Sequence, residues 1–212
     1  LDDVRAAAET LCQNYPRIDV LINSAGLHST TRTTTPDGFE TVLCVNHLAP
    51  FLLTHLLLDR MKHSAPARII QVNSEGHRFH GANLDDLNWE RRRYSGLKSY
   101  GSAKLAQLLS MIVFNEQFQN TGVTINTMHP GAVKTDTGRE NGPGYNWFKK
   151  NFLDKILKSA ERSAEALYYL GAAKEVEAVS GKFFNLTTEE APAPPALDRE
   201  VAYELWDLTL KL

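Results

Sequence analysis

The sequence predicts an α/β fold, a doubly wound parallel sheet within a single domain over residues 1–212. Three observations predict it. Short continuous apolar runs alternate with long apolar-periodic ones, the pattern of strands buried on both faces and separated by amphipathic helices. The apolar runs stop at small or polar residues, Asn23–Gly26, Ser74 and Pro130-Gly131, and ligands in such sheets bind beyond the carboxyl ends of the strands. Tyr100 and Lys104, four residues apart at the start of a helical run, share one helix face.

In chain order, residues 2–14 read as a helix with acidic residues at its N-terminal end, where they complement the dipole. Asp19–Asn23 is the first strand, and the Thr-rich stretch 27–35 is a loop. Pro36-Asp37-Gly38 then opens a long helix to about Lys62, interrupted by Pro50. Residues 68–72 form the second strand and 76–97 an irregular excursion. Ser99 to about Gln119 is the helix of Tyr100 and Lys104, and 123–128 is the third strand. After Thr135 comes a Gly/Asn/Pro-rich segment with Tyr145, Trp147, Phe148 and Phe152. Helix 159–174, a last strand 181–185, the spacer Ala191-Pro192-Ala193-Pro194-Pro195 and an amphipathic helix 198–211 complete the chain. No internal repeats are present.

Composition narrows the function classes. A hydrophobic share of 42% and a charged share of 23% are those of a globular domain with a real core. The formal net charge of −2 leaves no electrostatic footprint for nucleic acid, and Arg91-Arg92-Arg93 is a short local cluster that reads as a solvated loop. Cys12 and Cys44 supply neither a disulfide framework nor metal spacing, so no metal site and a reducing, cytoplasmic setting are expected. No apolar stretch approaches the ~20 residues of a membrane span.

The Tyr–Lys pair has chemical meaning. Ionising a free phenol at neutral pH costs ~4 kcal/mol, and a cation within reach lowers an acid's pKa by ~1–3 units. Such a phenol is a plausible general acid/base, although the same spacing also arises from a surface lysine one turn after a buried tyrosine. Pro50 has no N–H and clashes with the carbonyl of Asn46, which is thereby freed from the helical ladder; the plain alternative is a kink and nothing more.

Taken together, Asn23-Ser24-Ala25-Gly26, Asn46, Ser74, Tyr100…Lys104 and Pro130-Gly131-Ala132-Val133-Lys134-Thr135 resemble the short-chain dehydrogenase/reductases, in order and spacing along nearly the whole chain. Ser64–Arg68, Asn73–His77 and the excursion around Asp85–Leu87 are most similar to the retinol dehydrogenase and WW-domain oxidoreductase-like branch. The resemblance implies a Rossmann-type sheet and an NAD(P)-dependent oxidoreductase acting on a carbonyl or alcohol, with NADP(H) expected over NAD(H). It implies that Tyr100 exchanges a proton with the substrate oxygen and that Ser74 holds that oxygen. Lys104 would lower the pKa of Tyr100 and bind the nicotinamide ribose, and Asn46 would hold a relay water on its main-chain carbonyl. Pro130, Gly131, Val133 and Thr135 would meet the nicotinamide end, while Asn23, Ala25 and Gly26 support the sheet and the adenosine side.

The resemblance further implies a small-molecule substrate, a lid over about 136–158, and a homodimer through the helices carrying Asn46 and Tyr100. The lid aromatics suggest an apolar, retinoid- or steroid-like substrate, or simply core packing. Ser24 stands where the family often has a second Asn, and Glu75 puts a charge beside Ser74 unless it turns outward. The Gly-rich dinucleotide fingerprint is absent from these 212 residues. The family places it upstream of the first helix, so the chain is expected to represent the C-terminal portion of such a domain, with any membrane anchor also upstream. A non-catalytic dinucleotide-binding or interaction scaffold is the alternative. A sugar-nucleotide epimerase or dehydratase fits less well, because only 108 residues follow Lys104.

Overall fold

The four apolar runs become four parallel strands: β1 (Val20–Asn23), β2 (Ala67–Val72), β3 (Val123–His129) and β4 (Phe183–Asn185). The structure, a computed structural model, describes residues 1–131 and 160–212. The described strands pair in sequence order, with Ile22 opposite Ile70, Ile69 opposite Ile125 and Thr127 opposite Phe183. A fifth strand, β5 (Thr188–Glu190), joins β4 antiparallel through a turn with Leu186 at φ +56°. The sequence reading ends the strands at Asn185; β5 carries only polar residues and is largely exposed, so it has no apolar run to announce it.

Alternating residues divide the core between the two faces of the sheet. Ile69, Ile125 and Phe183 pack with α5 (Gly96–Gln117), whereas Ile70, Met128 and Phe184 pack with Ala166 and Leu170 of the helix Ala160–Ala172. The first helix, α1 (Asp2–Asn14), has the expected bounds. On the edge strand β1, Val20 and Ile22 are exposed.

The helix expected over 36–62 is segmented, and for local reasons. Gly38 takes φ +86° in a turn where the Thr35 amide donates to the Phe39 carbonyl, so no helix starts there. It starts at α2 (Thr41–Leu43), whose amides at Val42 and Leu43 donate to the buried carboxylate of Glu40 at 2.9 and 2.8 Å. Cys44–Leu48 is then a π turn in which the Ala49 amide reaches back five residues to the Cys44 carbonyl. Pro50, next in line, has no amide to close an ordinary turn, and the helix widens where the proline predicts a defect. The α-helical ladder resumes as α3 (Ala49–Leu56) and, after a break at Leu57, α4 (Leu58–His63).

The helix α5 is buried on nearly every side: Ser99, Ser102, Lys104, Gln107 and Ser110 are covered along with its apolar residues. The sheet covers one side, the Cys44–Leu48 turn another, and the C-terminal helix a third. Here that helix (Arg199–Lys211) is α7, the Ala160–Ala172 helix being α6. Asp198 caps α7, and Trp206 lies edge-on to Phe51 and Phe114 with ring centroids 4.7 Å from each. Thr209 meets His47 at 3.1 Å. The helices carrying Asn46 and Tyr100 thus pack against α7 of the same chain. Among the described residues no helix is long and apolar enough to cross a membrane, and no cluster of His, Cys, Asp and Glu is arranged to hold a metal ion.

Candidate functional site

The carboxyl end of β2 and the first turns of α5 converge on a cleft of about 280 Å³ lined by Ser24, Gly26, Ser74, Tyr100, Lys104 and Pro130 among others. Ser74 follows β2 directly and caps a 3-10 turn, Glu75–Arg78, by accepting from the Gly76 amide at 3.1 Å. Two glycines bring α5 against that turn. A Cβ on Gly76 would lie 3.0 Å from the Tyr100 ring, and one on Gly101 would lie 2.8 Å from the Gly76 carbonyl oxygen. Because both positions lack a side chain, the Tyr100 ring lies against the turn that Ser74 caps, on the same side of Gly76 as the Ser74 hydroxyl.

Burial governs the charges here. Tyr100 has a raised pKa because it is desolvated, and the Ser74 hydrogen bond only partly offsets this. The depressed phenol expected from a neighbouring cation is therefore not what the structure holds. Lys104 is itself 3% exposed, and burial pulls its pKa from 10.5 to about 7. Its Nζ donates to the Val72 carbonyl at 2.8 Å and stands 5.9 Å from the centre of the Tyr100 ring. His28 closes the other side of the phenol, edge-on at 5.7 Å.

The remaining expected residues separate into groups. Asn46 is wholly buried in the π turn; its side-chain amide donates to the carbonyls of Leu27 and Val42 and accepts from the Leu27 amide. Its Oδ1 and the Lys104 Nζ flank Gly26, lying 3.0 and 3.6 Å from where a Cβ would stand. Ser24, Gly26, Pro130 and Gly131 line the cleft, and Gly131 has φ +77°. Asn23 and Ala25 instead line a neighbouring apolar depression with Ile22, Val45 and Pro50, where the Asn23 amide donates to Thr54 at 3.0 Å. Val133, Thr135 and the 136–158 lid lie outside the described residues.

A nicotinamide dinucleotide fits these residues on one structural observation. The bare Gly26 backbone leaves a cradle beside a Lys104 ammonium that has spare donors beyond its bond to Val72, opening to Pro130 and Gly131.

Sequence reasoning missed the residues that hold this site. Asn73, noted only as a flank of Ser74, donates to the Lys104 carbonyl and to Gln107, both at 2.8 Å, and accepts from the Ser74 amide. It thus fastens the end of β2 to the helix of Tyr100 and Lys104. Glu40 accepts from Ser99 and Tyr94, each at 3.0 Å, besides capping α2. Ser163 of α6 donates to the Pro130 carbonyl at 2.6 Å. Glu75 pairs with Arg78 at 2.5 Å, so the expected stray charge is compensated. An Asn, Glu or Ser reads alike in a sequence whether solvated or wedged between elements, so no signal marked these.

Fold and site together define an α/β chain with a Ser–Tyr–Lys cleft at the carboxyl edge of a parallel sheet. A short chain dehydrogenase family profile matches residues 1–86. "Putative daunorubicin C-13 ketoreductase DnrU" of Streptomyces sp. (strain C5) is 36% identical over 98% of this chain and 69% of its own length. The chain belongs to the short-chain dehydrogenase family. Human retinol dehydrogenase 13 is 41% identical over all of this chain, which spans 65% of that protein's length. The crystal structure of NADPH-bound carbonyl reductase from chicken fatty liver superposes with a TM-score of 0.62 at 25% identity, covering 89% of this chain and 72% of that one.

Proposed function

We propose that the protein is an NAD(P)-dependent oxidoreductase that interconverts a carbonyl and an alcohol, with Tyr100 as general acid/base. The observation that carries this reading is that Ser74, Tyr100 and Lys104 line one cleft at the carboxyl edge of the sheet. When bound, the reduced nicotinamide supplies the hydride. Tyr100 donates its phenolic proton to the carbonyl oxygen while the Ser74 hydroxyl hydrogen-bonds that oxygen and fixes its position. Burial keeps Tyr100 protonated at neutral pH, as an acid must be. The phenolate left behind is stabilised by protonated Lys104, and in alcohol oxidation the same groups run in reverse. Asn46, beside Gly26 and Lys104, would deliver solvent protons through a water on its main-chain carbonyl.

Lys104, Gly26, Pro130 and Gly131, with Val133 and Thr135, would hold the cofactor. NADP(H) is favoured over NAD(H) because the chicken carbonyl reductase was solved with NADPH. An apolar, retinoid- or steroid-like substrate agrees with the likeness to proteins named retinol dehydrogenase 13 and daunorubicin C-13 ketoreductase. The test is the change in nicotinamide absorbance when the purified protein meets NADPH and a panel of apolar aldehydes and ketones. Turnover with at least one of them is expected. Dinucleotide binding without turnover across the panel would replace this reading by that of a scaffold.

A further inference from the structure

The spacer 191–195, a plain extended linker in the sequence, is held by two side chains of the turn that follows Ser74. The Ala193 amide donates to His77 Nε2 at 3.1 Å, and Arg78 donates to the Ala191 carbonyl at 2.9 Å. Because Nε2 accepts, it carries no hydrogen, so the proton of the neutral ring sits on Nδ1. Nδ1 donates to the Ser74 carbonyl at 2.7 Å. The ring is 1% exposed and packs on Phe183 at 4.9 Å between centroids.

We propose that His77 is a positioning residue for Ser74, a neutral imidazole bridge that fastens the Ser74 turn to the 191–195 strap and so holds the Ser74 hydroxyl against Tyr100. The inference rests on the oxidoreductase reading and deepens it. Two bonds in line, Ala193 N–H to Nε2 and Nδ1–H to the Ser74 carbonyl, demand one tautomer and one charge state. A second proton would turn Nε2 into a donor facing the Ala193 amide, and the bridge would open at its strap end. Burial holds the His77 pKa below 6.5, and the bond to Ser74 pulls the other way. The charged and titratable groups around it are Glu75 and Arg78 on its own turn, His129 at the end of β3 and Glu190 on β5. Glu75 and Glu190 both pair with Arg78, at 2.5 and 3.9 Å.

Two variants separate positioning from mere packing. His77→Asn retains a donor near the Nδ1 position and abandons Ala193; His77→Gln reaches toward Ala193 and abandons the Ser74 carbonyl. Each variant breaks the bridge at one end, so each is expected to lose roughly 10- to 100-fold in kcat with KM for NADPH unchanged, the scale of a small misplacement of a reacting group. Wild-type kcat should also fall reversibly with acid below pH 6.5, a limb absent from His77→Asn. Wild-type kcat in either variant, or an acid limb that persists in His77→Asn, would overturn the proposal. Long-range proton–nitrogen NMR of the unliganded protein gives a readout independent of activity. A His77 ring protonated on Nδ1 supports the bridge, and one protonated on Nε2 refutes it. If no carbonyl is turned over, the oxidoreductase reading fails by itself, while the tautomer still decides whether the bridge exists.

Discussion

Replacing Lys104 by Met is expected to flatten the rise of stability with pH above neutrality. The side chain is 3% exposed, and burial lowers its pKa from 10.5 to about 7. Between those values the unfolded chain carries a proton at this position that the folded chain has shed. Stability therefore rises with pH across that window and is least favoured by this group at and below about pH 7. At ~1.36 kcal/mol per pH unit the full window amounts to roughly 5 kcal/mol, of which about 2 kcal/mol falls between pH 7 and 9. Met keeps the length of the side chain and removes the charge, at the loss of the 2.8 Å bond to Val72, roughly 1–3 kcal/mol. Lys104→Met should accordingly be the more stable protein at pH 7 and lose that advantage as the pH is raised. Urea denaturation followed by tryptophan fluorescence at pH 7, 8 and 9 measures both slopes. Parallel slopes in the two proteins would mean that Lys104 keeps its proton in the fold, and the desolvation argument would be wrong.

Other outcomes follow from the same packing. Glu40→Ala strips the cap from α2 and removes the acceptor of the Val42 and Leu43 amides and the Ser99 hydroxyl; a loss of at least ~2 kcal/mol in urea unfolding is expected. Trp206→Ala opens a cavity against Phe51 and Phe114 and should cost ~3–5 kcal/mol by the same assay. Because α7 lays Trp206 over Phe51 and Phe114, ending the chain before Arg199 should bare that apolar face and raise the apparent mass in gel filtration. Gly101→Ala drives a methyl into the Gly76 carbonyl, so turnover should fall steeply while stability drops by only ~1–3 kcal/mol.

What the sequence made legible and what it hid divide along a physical line. Features written in local pattern were readable: apolar runs of strand length, the i, i+4 placement of Tyr100 and Lys104, and the helix defect at Pro50, which the structure realises as the Cys44–Leu48 π turn. Polar residues that work across elements were not. Asn73, Glu40 and His77 sit among ordinary polar neighbours in the sequence, and only the fold reveals that each bonds a segment distant in the chain. The start of the second helix was misplaced because Pro36-Asp37-Gly38 looks like a helix opening, while the cap is a glutamate that tertiary contacts bury. The sign of the Tyr100 shift was missed for a related reason. A neighbouring cation can be counted along a helix, but desolvation depends on everything packed around it, and here it wins.

The central claim is that the Tyr100 phenol carries the transferred proton, and Tyr100→Phe tests it most directly by removing one oxygen atom and little packing. NADPH titration by calorimetry should give an affinity close to wild type, while single-turnover carbonyl reduction slows by ~10²–10⁴-fold. A Tyr100→Phe variant that reduces the same carbonyl within about tenfold of the wild-type rate would place the proton donor elsewhere and contradict the account.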